Sequence, residues 1–551
     1  MRSKKAKIKF SLQKNWTSGL YDSGTDNYLQ ASNLPWENSQ NFVNFKNSGP
    51  LDPIQVQKLN LKRILDEYPE LEIAINLINN ISAFEALFIE NAKMPKRANS
   101  SRFPTKKCLA GLVEAGLAIP MSHTDAKAVL TAFHVPKSNG LSRFILNGTG
   151  INQIQKSPPH FTLPNFDSTR TRIFNFDFAT KIDLRHCFYQ FPLNSEISKY
   201  FTFRENQFYY RFIRMPMGWS YAPFICQEFA TTICKAHFGE NFEAIYDDWM
   251  FLGNDPDNLT VHTKALVDEL EFFESTIHDK KSELHPKSEI EFFGVIWDLA
   301  QKRHKLADSF LEKWLRWFEN VHSLGNQITV RKWFGICSAL FYAVRIFLLP
   351  PGEFWEVYRW TADLSAKIYH EKIFWDSKIR PWKKVVSTIS DFTLILRENR
   401  WINFVNLERS DDIIWSDASL SAWAFCLTDQ NKNILEHDFG NFVKSDQNDH
   451  FSNPEKIRNN GEPIHLLELR AMWNALRCFV PRKINTLWVL KCDNTVALVH
   501  LNRLRGSCFL SNKIILEISE LLRSYGSAVQ VEWVDTKNQI ADQWARLGMD
   551  E

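Results

Sequence analysis

No two cysteines in this 551-residue chain form a CxxC pair, and none of the nine has zinc-ligand spacing. That excludes a stapled disulfide framework and a structural zinc site, and it reads as reduced thiols in an intracellular protein. The amino terminus, "MRSKKAKIKF", carries charge but no apolar core segment, so no secretory signal is expected. Long hydrophobic runs are missing as well. The best candidate, "ALFYAVRIFLLPPG", is too short for a bilayer and holds Arg345, so a buried helix and no membrane partner are expected. There is no repeat of fixed period and little net charge, +3. Local basic clusters therefore matter more than the sum. The cluster of Arg2, Lys4, Lys5, Lys7 and Lys9 reads as a solvated tail or a nucleic-acid contact.

What is present is ordinary in bulk and particular in detail. Hydrophobic content of 44% and charged content of 23% suit a soluble globular protein. The length suits several domains of roughly 100–200 residues each. Aromatics reach 14%, with 19 Trp and 43 Phe, enough for large cores and base-stacking surfaces. Residues 11 to 55 are rich in Asn, Ser and Gly and read as an extended or disordered arm. Helical patterns follow to about residue 120. Short strand-like runs alternate with turns and helices from 133 to 300, and residues 305 to 400 look helical and dense in Trp and Phe. At "IIWSDASLSAWAFCLTD" the pattern resets to alternating strand, which sets a domain boundary near residue 405.

Carboxylates carry the chemistry. "FDFATKIDLRHCFYQFPL" reads as a strand ending at Asp183, and "MPMGWSYAPFICQEFATTICKAHF" as a Gly-containing turn followed by an amphipathic helix from Ala222. "NFEAIY" and "WMFLG" read as the two arms of a hairpin with Asp247 and Asp248 at its tip. The aspartate pair alone is better explained as a charged turn. With Asp183 on a neighbouring strand, three carboxylates would gather at one sheet edge. They would repel unless divalent cations sat between them, as in in-line phosphoryl displacement.

These blocks resemble, in order and spacing, a reverse transcriptase. "KIDLRHCFYQFPL", "MPMGWSYAP" and "IYDDW" are similar to motifs A, B and C of that family. "FHVPKSNGLSRFILNGTGIN" resembles its fingers stretch, and "KKSELHPKSEIEFFGVIWD" its motif D and E segment. The resemblance implies that Asp183, Asp247 and Asp248 are catalytic and hold two Mg²⁺, with Mn²⁺ as a substitute. Nucleotide binding would fall to Lys137, Arg143, Phe188, Met217, Gly218 and Lys281. Lys137 and Arg143 would grip the triphosphate, and Phe188 would exclude a 2′-hydroxyl. Gly218 would admit the template–nucleotide pair closely, and Lys281 would serve as acid for the leaving pyrophosphate. Departures are present: Ile245 replaces the leading aromatic of the YxDD box, with Tyr246 in the variable position. Asn147, Gly148 and Thr149 replace the usual fingers residues.

The second half has its own set. Asp417 ends the strand "IIWSD", Glu468 lies in the helix "IHLLELRAMWNALRCF", Asp493 follows "INTLWVLKC", and Asp542 lies in "NQIADQWARL". In order, "SDAS", "ELRAMWNAL", "CDNTVAL" and "NQIADQWARL" resemble the retroelement ribonuclease H family, whose D–E–D–D set holds two Mg²⁺ and cuts the RNA of an RNA–DNA hybrid. No His lies between Ser524 and Asp542, so the mobile histidine of some members is absent.

The resemblance covers residues 105 to 551 and implies a right-hand polymerase of α+β class followed by a ribonuclease H-like α/β domain with a mixed five-stranded sheet. The implied domains are an N-terminal extension (1–104), fingers and palm (105–300), helical thumb and connection (301–404) and ribonuclease H (405–551). Arg331, Lys332, Trp333, Arg345 and Trp360 become candidate duplex contacts, although for any one of them a place in a Trp-rich helical core is the better reading. Implied partners are an RNA template, a DNA primer, their RNA–DNA hybrid, dNTPs and other retroelement proteins, in a cytoplasmic particle or the nucleus. Block style is closest to DIRS-like retrotransposons, with gypsy-like elements second. No protease or integrase pattern is visible, and a telomerase-like polymerase is disfavoured by the fused nuclease. The reading from another class is a captured or decayed element serving as a nucleic-acid-binding scaffold, which loss of a metal carboxylate would favour. All seven are present.

Overall fold

The computed structural model describes residues 54–95, 106–136, 141–323, 328–404, 407–442 and 463–547. They divide into two compact units, one of residues 1–292 with 297–301, the other of 293–296 with 302–551. Lys137 lies outside the described residues.

The first unit is built on an antiparallel sheet in the order Glu283–Lys287, Phe178–Asp183, Asp248–Gly253, Phe242–Ile245. Its third strand buries Trp249, Met250, Phe251 and Leu252 in succession, so both of its faces are covered. Helices Ala222–Phe238 and Pro256–Phe272 pack against this sheet. The second of these starts where Asp255 accepts hydrogen bonds from the amides of Asp257 and Asn258, with Pro256 at the first helical position. Phe251 stacks on Phe238 with centroids 4.2 Å apart. Phe251→Ala is therefore expected to cost about 3–5 kcal/mol, measurable as a lower urea midpoint. A second sheet, in the order Ala118–Met121, Phe208–Phe212, Thr202–Glu205, Val129–Leu130, and the hairpin Ala132–Pro136 with Ser142–Leu146 also belong to this unit.

In the second unit, helices Asp308–Ser323, Val330–Ile346, Trp355–Tyr369 and Lys383–Glu398 precede a five-stranded mixed sheet. Its order is Ile434–Asn441, Ala422–Thr428, Glu408–Ala418, Thr486–Cys492, Ala528–Trp533. The first three strands pair antiparallel and the last two join in parallel, an arrangement of the ribonuclease H-like type. Helix Ile464–Phe479 lays Leu469, Met472 and Leu476 on Ile414, Phe425 and Leu490. The helical part and the sheet part are tied within this unit by the Gly352 amide, which donates to the Leu504 carbonyl at 3.1 Å.

Two of the candidate duplex contacts are core residues. Trp333 is 0% and Trp360 3% exposed, their rings 4.4 Å apart, and Trp333 Nε1 donates to Thr361 Oγ1 at 3.0 Å. An aromatic that dense helical packing has enclosed has no face left for a base. Arg331 is held by Asp376 at 3.2 Å. The helix containing Arg345 ends at Ile346, and no described helix is long and apolar enough to cross a membrane.

Candidate active sites

Strand register assembles the first site. Asp183 pairs directly with Asp248 across the two central strands, and Ile245 pairs with Asp248 across the hairpin. This leaves Tyr246 and Asp247 as the two turn residues, with Tyr246 at φ +50. The buried side chain of Gln227 holds both sides of that turn. Its Oε1 accepts from the Tyr246 amide at 3.0 Å, and its Nε2 donates to the Ala244 carbonyl at 2.9 Å. The Leu184 amide donates to the Asp247 carbonyl at 2.6 Å. Behind Asp183, its own amide donates to Ser282 Oγ at 3.0 Å and its carbonyl accepts from the His278 amide at 2.8 Å.

A cleft of about 420 Å³ opens over these residues. Asp183, Asp247, Arg143, Phe188, Met217 and Lys281 all line it. Lys281 Nζ lies 3.2 Å from Asp183 Oδ2, and Lys181 Nζ forms an ion pair with Asp248 Oδ1 at 3.0 Å. Arg143 is exposed and has no ion pair among the described residues. The Phe188 ring stands 6.3 Å from the Tyr246 ring, which also meets Phe161 at 6.4 Å. The aromatic missing at Ile245 is thus supplied one position later, on the cleft side.

Charge at this edge is under-compensated. Burial, then the neighbouring Asp183 carboxylate, push Asp247 up to about 6. The residue opens to the cleft, and water there screens part of that push. Burial also raises Asp248, against the opposing pull of Lys181. Oxygen donors crowded in this way suit a hard divalent cation.

The Gly218 turn is docked on Leu146 and Gly148. Its φ is +111, and a Cβ there would meet the Leu146 carbonyl oxygen at 1.9 Å. A Cβ at Gly148 would meet the Gly218 oxygen at 2.1 Å. The departure at Gly148 is thereby explained, because two backbones touch there and neither tolerates a side chain. Asn152, which sequence reasoning passed over, clamps the junction. Its Nδ2 donates to the Gly218 carbonyl at 3.0 Å, and its Oδ1 accepts from the Ser220 amide at 3.0 Å. Asn147 caps locally, its Oδ1 accepting from the Thr149 amide and hydroxyl at 3.2 and 2.7 Å.

The second site lies at the carboxyl ends of two parallel strands. Trp415 pairs with Lys491, and Asp417 and Asp493 each follow two residues later along the chain. Asp417 is 6% and Glu468 3% exposed. Burial, then Asp493 and Asp542, push Asp417 up to about 7. Burial, then Asp417 and Asp493, push Glu468 well up. These mutual effects place all four carboxylates in one field. Asp493 Oδ2 accepts from Thr536 Oγ1 at 2.7 Å, and Asp542 pairs with Arg546 at 2.6 Å. Gln539, another residue unread in the sequence, donates from Nε2 to the Ser416 carbonyl at 2.9 Å and pins the loop ahead of Asp542.

Residues 135–297 match the family described as reverse transcriptase (RNA-dependent DNA polymerase). An enzymatic polyprotein of Cassava vein mosaic virus is 23% identical over 333 residues, 59% of this chain and 47% of that protein. A retrovirus-related Pol polyprotein from transposon opus of Drosophila melanogaster is 22% identical over 245 residues, 43% of this chain and 24% of that protein. The chain thus spans less than half the length of either relative. Among solved structures, a foamy viral protease–reverse transcriptase in complex with RNA/DNA hybrid aligns at TM-score 0.48 and 14% identity, covering 88% of this chain and 64% of that one. The first site lies wholly inside the reverse transcriptase segment. The second lies beyond it.

Proposed function

We propose that the chain is an RNA-directed and DNA-directed DNA polymerase with a fused ribonuclease H, copying retroelement RNA and degrading the RNA of the hybrid. The observation that carries the polymerase reading is the register that sets Asp183 opposite Asp248, with Asp247 at the turn, inside the segment matching reverse transcriptases. Two Mg²⁺ held by these carboxylates would stabilise the entering and leaving oxygens of an in-line displacement. Arg143, exposed on the cleft wall, would fork onto the triphosphate. Lys281 would hand a proton to pyrophosphate. Phe188, backed by Tyr246, would press on the sugar where a 2′-hydroxyl would sit. Lys137 keeps the triphosphate role that its motif position implies.

In the second unit Asp417, Glu468, Asp493 and Asp542 would hold the cations for hydrolysis, and the wide minor groove with its 2′-hydroxyls would mark the strand to cut. The block style supports a DIRS-like lineage ahead of a gypsy-like one. An RNA template, DNA primer, dNTPs and other element proteins would be the partners, in a cytoplasmic particle or the nucleus.

Primer extension on poly(rA)/oligo(dT) with Mg²⁺ tests the first centre. Asp247→Asn should fall by on the order of 10³-fold or more, since the charge it removes is needed at the reacting phosphate. Equal rates in the variant and the wild type would remove the polymerase assignment. Glu468→Gln should lose hybrid cleavage yet extend primers normally, and a variant that still cleaves would remove the nuclease assignment.

A further inference from the structure

The first site holds an enclosed cation whose role the three carboxylates alone leave unexplained. Lys181 lies on the strand Phe178–Asp183, two residues before Asp183 and so on the same face. It stands opposite Met250, while Asp183 stands opposite Asp248. Lys181 and Asp248 are therefore diagonal neighbours, a separation within reach of a long side chain. The lysine spans it. Its Nζ lies 3.0 Å from Asp248 Oδ1, with the side chain 14% exposed, and donates to the Glu291 carbonyl at 3.1 Å. Nζ also stands 5.9 Å from the centre of the Phe292 ring. A lysine tied to a carboxylate and a carbonyl with so little water around it is a fixed charge, not a solvated surface group.

The three carboxylates are thus not equivalent. Asp248 has Lys181, Asp183 has Lys281 at 3.2 Å, and Asp247 has no ion pair among the described residues. The two lysines differ as well. The Lys281 side chain is 61% exposed and lines the cleft, whereas Lys181 is enclosed and, like Asp248, is not part of the lining. A resident positive charge beside these oxygens offsets their mutual repulsion. By the same Coulomb interaction it opposes any other cation brought to them.

We propose that Lys181 is a positioning residue for the polymerase reaction, fixing Asp248 as a resident counter-ion and thereby setting how much divalent metal the centre demands. This rests on the polymerase reading above. With the lysine in place the carboxylate edge is assembled without metal, and its hold on a divalent cation is correspondingly weaker.

The test compares the full chain with Lys181→Met, which keeps an unbranched stem and removes the charge. Mn²⁺ alone is titrated into each protein, without nucleic acid or nucleotide, and the free ion is followed by its EPR signal. Because other carboxylates also take up Mn²⁺, the difference between the two proteins is the signal. Lys181→Met should bind one Mn²⁺ on the order of tenfold more tightly, since a unit charge has left a partly buried neighbourhood. In primer extension the Mg²⁺ concentration for half-maximal rate should fall by a similar factor. The rate at saturating Mg²⁺ should drop about tenfold, because Asp248 is no longer held. A merely structural lysine would lower the rate and leave metal demand unchanged. Lys181→Arg, which keeps the charge, should bind Mn²⁺ as the wild type does. Equal Mn²⁺ affinity in the wild type and Lys181→Met would overturn the proposal, and so would an arginine variant as tight as the methionine one. Should Lys181→Met fail to fold, Lys181→Gln gives the same comparison. If the wild type extends no primer, the polymerase reading falls, and the Mn²⁺ difference still decides whether Lys181 governs metal uptake.

Discussion

Near neutral pH and without divalent cations, Asp417→Asn should melt above the wild type, and Mg²⁺ should then add little to its stability. Asp417 is held at about 7 in the folded chain, against about 3.9 when unfolded. A carboxyl raised in this way binds its proton more tightly in the folded state. Its stabilising contribution is complete below about pH 3.9 and drains away as pH rises through 7. Repulsion from Asp493 and Asp542, added to burial, is the cause. The full shift corresponds to about 4 kcal/mol at most, shared with Glu468, whose shift has the same sign. At roughly 2–4 °C per kcal/mol for a unit of this size, the variant should gain several degrees. Thermal melts of wild type and variant, with EDTA or Mg²⁺, near pH 5 and near neutrality, give the full comparison. Wild type should be steadier at the acid value without metal and lose that preference with Mg²⁺, while the variant, which keeps the raised Glu468, should show the same preference more weakly. A variant that melts lower than the wild type in EDTA would refute the account of a site strained by its own charge.

Gly218→Ala should be the most damaging single methyl addition in the first unit. The new carbon would lie 1.9 Å from the Leu146 oxygen, on a backbone at φ +111. Neither neighbour is a flexible side chain that could swing away. The turn would have to lift off Leu146, breaking the hydrogen bond from the Leu146 amide to the Met217 carbonyl and that from Asn152 to the Gly218 carbonyl. Strain, overpacking and lost hydrogen bonds together amount to roughly 3–5 kcal/mol. Urea unfolding should show that loss. Displacement of the turn by about an ångström should also slow primer extension on the order of 10²-fold. Hybrid cleavage, whose carboxylates lie in the other unit, should persist. Wild-type stability together with a wild-type extension rate would show that the two backbones do not depend on their contact.

The carboxylates were legible because each stands in a short block whose neighbours are close in sequence. Asp183 at a strand end, the aspartate pair between two apolar arms, and Glu468 on an amphipathic helix need only local periodicity to be placed. The mixed five-stranded sheet followed from the resemblance of the second set of blocks to the ribonuclease H family. Asn152, Gln227 and Gln539 were not legible, since each acts on backbone far away in sequence and sits among unremarkable polar residues. Gly148 looked like a loss until Gly218 was found against it. Trp333 and Trp360 stood open between two readings for a related reason. Aromatic density in a helical stretch serves a core and a nucleic-acid surface equally well, and only packing separates them.

The strand Asp248–Gly253 carries a run of four buried apolar residues and no alternation. Such a strand could slide by one residue against its partners and still bury oily side chains on both faces. What forbids the slide is the tight turn before it. Gln227 grips both sides of that turn, and Trp249 Nε1 donates back to the Tyr246 carbonyl at 2.9 Å. The hairpin tip is therefore an alignment key for the edge that carries Asp183, Asp247 and Asp248. Damage to it would yield a chain that looks folded to every bulk probe while its aspartates no longer meet.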